Sequence, residues 1–195
     1  MNGLPPSGNS INPQVDGASF ARTEPKKADD ERGQSNEEAV KKSQYIWRSL
    51  AKESGRSDYL EKKRVGAYGI RFLENKYGLV AVVPARDSGG NIRALEFLNP
   101  DGTKRFLTGS SWKGLFHMLF IPVNGKIIGI AESYVTAAIC LELVRIPTVC
   151  AFSSGNLPAA ARSMHAMFPG SSIAIFADND KHPESKGTNV GVLKA

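Results

Sequence analysis

The 195-residue chain has room for one or two small domains, and its 41% apolar content is enough for a packed core. No run approaches the roughly 18 consecutive apolar residues of a membrane span, and no basic stretch followed by an apolar run marks a secretory leader, so a cytoplasmic, non-membrane protein is expected. The net charge of +6 is held by one segment: residues 1–54 and 127–195 are balanced, while residues 55–126 carry twelve basic and six acidic side chains. A basic segment of this kind fits a polyanionic partner, or a solvated face with no partner. The two cysteines, Cys140 and Cys150, are too few for a four-ligand zinc site and sit in apolar runs, where small buried thiols are expected.

Residues 1–34 are rich in Gly, Pro, Asn, Ser and charge, and read as a disordered tail. A helix is expected to start at Ser35, where Glu38 completes a capping box. Its apolar face holds Val40, Ile46, Trp47, Leu50 and Ala51, and Gly55 is expected to end it. A short second helix is expected around Asp58 to Lys63. The segment that follows reads as antiparallel strands. Tyr77 to Ala85 is a compact apolar run, Ser88-Gly89-Gly90-Asn91 supplies turn residues, and Ile92 to Leu98 is a second strand. Asn99-Pro100-Asp101-Gly102 is another turn, and Lys104-Arg105-Phe106-Leu107 begins a third strand. His117, in apolar company, is expected to be a packing residue.

From residue 127 strands and helices alternate. Short apolar strands are expected at Ile127 to Ala131, Thr148 to Phe152 and Ser172 to Ala177, with helices at Ser133 to Val144 and Leu157 to Met167. Continuous apolar strands separated by helices imply a parallel sheet covered on both faces. The first of these strands ends at Glu132, and the third at Asp178-Asn179-Asp180. In open α/β sheets ligands bind beyond the carboxyl ends of the strands. If those two strands are neighbours, three carboxylates converge, an arrangement that calls for cations. Magnesium suits such a site because it takes carboxylate oxygens and completes its shell with water and phosphate.

These runs carry a resemblance. Gly129-Ile130-Ala131-Glu132-Ser133 is similar to the first Toprim motif, and Ala174-Ile175-Phe176-Ala177-Asp178-Asn179-Asp180 to the second. Upstream, Val82-Val83-Pro84-Ala85-Arg86-Asp87 and Pro100-Asp101-Gly102-Thr103-Lys104-Arg105-Phe106-Leu107 resemble the N-terminal half of primases from conjugative plasmids and phages. The resemblance covers roughly residues 36–195. It implies an α/β fold with a Toprim (Rossmann-like) parallel sheet over 127–195, preceded by a small basic α+β subdomain with antiparallel strands over 35–126.

The activity implied is synthesis of short RNA primers on a single-stranded DNA template from nucleoside triphosphates. A replicative or conjugative helicase is a further implied partner. Glu132 would act as general base or metal ligand, and Asp178 and Asp180 would hold Mg2+ or Mn2+ carrying the incoming triphosphate. Arg86, Lys104, Arg105 and Lys113 would bind template or nucleotide phosphates. Ser133 stands where the family commonly has Gly, and Ser153 stands where it often has an acid. The family pattern continues past residue 195 through another helix, strand and acidic cluster, so a Toprim domain incomplete at its C-terminus is expected. A non-catalytic single-strand-binding remnant of a primase and a Toprim nuclease remain open beside the enzyme.

Overall fold

The computed structural model describes residues 25–76 and 78–177, with side chains from residue 33 onward. The chain opens with α1 (Pro25–Tyr45), which passes into a π-helical turn at Ile46–Leu50. The helix thus starts ten residues ahead of the expected Ser35, inside the segment 1–34 that the sequence reads as a tail. Residues 1–24 lie outside the described part. Pro25 at the first helical position, followed by Lys, Ala, Glu, Arg and Gln, is a helix-forming sequence despite its lack of apolar residues. Gly55 does not end the helix either. The backbone turns extended at Ala51, and Lys52 exchanges two hydrogen bonds of 2.8 Å with Phe72. Gly55 serves a different need, since a Cβ there would lie 2.5 Å from the Phe72 Cβ.

After α2 (Asp58–Lys63) comes a four-stranded antiparallel sheet, ordered β1 (Arg71–Asn75), β2 (Gly78–Arg86), β3 (Ile92–Leu98) and β4 (Lys104–Phe106). Its register pairs Ala81 with Leu98 and Glu96 with Phe106. β2 shows no polar alternation because both its faces are covered. Val80 and Val82 meet Ile46 and Leu95 on the α1 side, while Ala81, Val83 and Leu98 face the second half of the chain. The turns are made by the residues expected for them. Asn91 N donates to the Asp87 carboxylate at 2.9 Å, with Gly90 at φ 82°, and Gly102 N donates to the Asn99 carbonyl at 3.0 Å.

The second sheet has the order β5 (His117–Met118), β7 (Thr148–Cys150), β6 (Ile128–Ala131) and β8 (Ile173–Phe176). β6 pairs in parallel with both β7 and β8, and β5 adds an antiparallel edge, so this sheet is mixed and not purely parallel. α3 (Tyr134–Val144) packs on one face through Tyr134, Val135, Ala137 and Ala138, and α4 (Leu157–Met167) packs on the other through Leu157, Ala160 and Met164. Ser133 caps α3, its hydroxyl accepting from Thr136 N at 3.2 Å. Both sheets contribute to one core, in which Phe72, Ala81, Val83 and Leu98 meet Ala131, Tyr134 and Cys150. Cys150 is buried and Cys140 half-buried. His117 is buried as expected: Nε2 lies 2.8 Å from the Tyr68 carbonyl, and burial pulls its pKa down to about 4. No helix among the described residues is long and apolar enough to cross a membrane.

Candidate active site

β6 and β8 are adjacent, and Ala131 pairs with Phe176. That satisfies the condition under which the acids following these two strands would share one rim. Glu132 follows Ala131 directly and lines a cleft of about 770 Å³ at that rim. Asp178 and Asp180 lie outside the described residues. Among the described residues, no group of three or more His, Cys, Asp or Glu is placed to hold a metal ion.

The cleft runs between the two sheets. Glu132, Ser133, Phe152 and Ser153 line it from the mixed sheet, and Glu96, Lys104, Arg105, Phe106 and Trp112 line it from the basic half. β4 supplies Lys104 and Arg105, both exposed. Lys113 is exposed next to Trp112 but is not among the lining residues. Arg86 lies elsewhere. It shares a second cavity, of about 360 Å³, with Arg48, Arg71, Trp47 and Gln44. There its Nη1 donates to the Gly90 carbonyl at 2.8 Å, and its guanidinium lies 5.7 Å from the Trp47 ring. Burial, and then the Arg71 charge, lower its pKa. The four basic residues expected to form one phosphate track are therefore divided between two cavities and an exposed loop.

Three positions escaped the sequence reading: two that line the cleft and one, Asn156, that braces its wall without lining it. Glu96 is one. The pleat of β3 turns Ala94, Glu96 and Leu98 toward the mixed sheet, which leaves this carboxyl 4% exposed at the cleft floor. Its only sequence signal is a single charge inside the apolar run Ala94-Leu95-Glu96-Phe97-Leu98. Trp112 is the second; its ring stacks on Phe106 in a contact between residues on different segments. Asn156 is the third. Its amide accepts from Gly114 N at 2.7 Å and donates to the Ala151 and Leu115 carbonyls, both at 2.8 Å. It thereby ties the loop carrying Trp112 and Lys113 to the turn after β7.

Burial pushes the Glu96 carboxyl up to about 7, against the downward pull of Lys104. Between an ordinary value of 4.5 and about 7 the folded chain holds a proton that the unfolded chain has lost. Glu96 therefore contributes stability that is fully present below pH 4.5 and is lost as pH rises through about 7. At pH 8 the ionised side chain costs on the order of 3 kcal/mol. Glu96→Gln is expected to raise the melting temperature at pH 8 by roughly 5 °C more than it does at pH 4.5. Thermal melts by circular dichroism at the two pH values measure this, and an equal difference at both would rule the account out.

The chain's relatives bear on what such a cleft does. It is 37% identical over 146 residues to DNA primase TraC of Escherichia coli, and 36% identical over 129 residues to a second Escherichia coli protein of that name. Both of these relatives are DNA primases. These matches take in 70% and 63% of this chain but only 10% and 12% of the primases' own lengths. No family model matches the chain. Among solved structures, it resembles the primase fragment of the bacteriophage T7 primase-helicase protein, with a TM-score of 0.53 at 15% identity over 75% of this chain and 64% of that one. It also resembles a chain from the T7 structure in which lagging-strand DNA polymerase interacts with primase domains of two gp4 subunits bound to an RNA/DNA hybrid and dTTP. There the TM-score is 0.52 at 18% identity, over 71% of each chain. The fold is thus that of a phage primase domain, and the sequence relationship to primases takes in most of the chain.

Proposed function

We propose that this chain carries the nucleotidyl-transfer centre of a Toprim-type DNA primase, which makes short RNA primers on single-stranded DNA. The reading rests on one observation above the others. The cleft sets Glu132, at the carboxyl end of β6, across from Lys104 and Arg105 on β4, in a chain whose sequence relatives are primases. Such a cleft has separate places for the two charges of the reaction. Lys104 and Arg105 receive the phosphates of an incoming nucleoside triphosphate. Glu132 takes the proton of the attacking hydroxyl or binds the cation beside it.

The donor set suits Mg2+ or Mn2+. The titratable acids lining the cleft are carboxylates, with no thiol or imidazole among the lining residues, and hard oxygen donors select these ions. Glu132, Asp178 and Asp180 would hold the ion, which when bound offsets the negative charge of the triphosphate. On this reading the chain works in the cytoplasm, with a replicative or conjugative helicase as a partner. Arg48 and Arg86 beside Trp47, with Arg71 already paired to the Glu53 carboxylate, give a second basic surface for template phosphates. That second surface also favours a simpler function, single-strand binding without chemistry.

Primer synthesis decides between the two. The full chain, given radiolabelled ribonucleotides and single-stranded DNA, is expected to yield short products that require Mg2+ or Mn2+ and disappear on chelation. Strand binding with no product under either ion would leave the non-catalytic role. Degradation of the DNA in place of synthesis would identify a Toprim nuclease.

A further inference from the structure

Trp112 is 40% exposed in the mouth of the cleft, and one face of its indole is already covered. Phe106 stacks on it with ring centroids 4.7 Å apart and planes 8° from parallel. Phe152 in turn packs edge-on against Phe106 at 5.4 Å and 72°. The indole is thus backed by a column of two further rings. Its backbone is fixed as well: the Trp112 carbonyl accepts from Leu115 N at 3.0 Å and from the Asn156 amide at 3.4 Å. Phe152 has a left-handed backbone, φ 69°, a conformation that a non-glycine residue adopts only when its surroundings hold it there. A flat aromatic face, pre-positioned and open to a cleft that also contains Lys104 and Arg105, is what a nucleobase with attached phosphates requires.

We propose that the open face of Trp112 is the seat of the base of a nucleoside triphosphate, whose phosphates run toward Lys104 and Arg105. The proposal rests on the reading of the cleft as a nucleotide site and adds the group that holds the base. Stacking does not depend on the hydrogen-bonding edge, so all four bases bind, with the larger purines ahead of the pyrimidines. Trp47, the chain's other tryptophan, is a poor alternative because the guanidinium groups of Arg71 and Arg86 already lie over its ring, at 4.7 and 5.7 Å.

The test compares two probes that differ only in carrying a nucleoside. Equilibrium dialysis of the full chain with labelled ATP, and separately with inorganic tripolyphosphate, is run for the native protein, Trp112→Ala, Trp112→Phe and Lys104→Ala. Trp112→Ala is expected to weaken ATP about 5- to 100-fold, the range set by loss of one base stack, and to leave tripolyphosphate unchanged. Trp112→Phe restores most of the ATP affinity. Lys104→Ala weakens both probes. Unchanged ATP binding in Trp112→Ala would overturn the base seat, and so would equal weakening of both probes. If Lys104→Ala weakens neither probe, the nucleotide reading of the cleft fails, and that failure is visible separately from any effect at Trp112.

Discussion

Asn156→Ala is expected to destabilise the fold by about 2–4 kcal/mol, lowering the melting temperature by roughly 5–15 °C. The side chain is 3% exposed, and each of its polar atoms is used. Removing it leaves the Gly114 N–H and the Ala151 and Leu115 carbonyls without this partner, and a buried polar group that loses its partner costs its desolvation energy. A small cavity adds to this. Asn156→Asp separates the hydrogen-bonding account from a simple volume account. Aspartate fills the same space, but as a carboxylate it only accepts, and it would face two carbonyl oxygens. Burial raises the pKa of such a carboxyl, as it does at Glu96, so the aspartate is expected to be at least as damaging as alanine only at a pH high enough to ionise it. Differential scanning calorimetry of the three proteins measures the effect. An aspartate tolerated at such a pH, or an alanine loss under about 1 kcal/mol, would mean that the amide is not what holds the 112–115 loop to the turn after β7.

Asn156 also shows where sequence reading stops. α2, β3 and α4 lie where their sequences put them, because each carries its own signal: turn residues on both sides of β3, and a proline in the first turn of α4. β1 and β5 carry none. Arg71–Asn75 is a strand because it pairs with β2, and the two-residue β5 exists only as His117 and Met118 opposite Cys150 and Val149. The start of α1 is not legible, because a charged helix-forming sequence without an apolar face looks the same as a solvated tail. The candidate site divides in the same way. Glu132 was legible as an acid at the end of an apolar strand. Glu96 was not, since only the neighbouring sheet turns one charge in a strand into a buried carboxyl at a cleft floor. Arg86 and Lys104 look alike in sequence, yet the fold assigns them to different cavities. In each case the missing information is a contact between segments distant in the chain.

Glu132→Gln is expected to lower primer synthesis on the order of 10²–10³-fold while moving the melting temperature by less than about 2 °C. The side chain is half-buried at the rim of β6, outside the hydrophobic clusters, so an isosteric neutral replacement leaves the core intact. What is lost is a negative charge at the point where the proposed reaction needs a base or a cation ligand. Asp178→Asn is expected to act in the same direction, with activity recovered in part at higher Mn2+ if its role is to hold the ion. The double substitution discriminates further. Groups that act as one unit fail together, so the pair should be little worse than the poorer single variant. A multiplicative loss would place the two acids in separate steps, and full activity in Glu132→Gln would remove the carboxyl terminus of β6 from the chemistry. With no divalent cation added, the variants should still bind tripolyphosphate at least as well as the native chain, since each removes a negative charge from the wall facing Lys104 and Arg105. A stable protein that keeps its phosphate affinity and loses only product formation is the outcome that ties this acid to catalysis and not to binding.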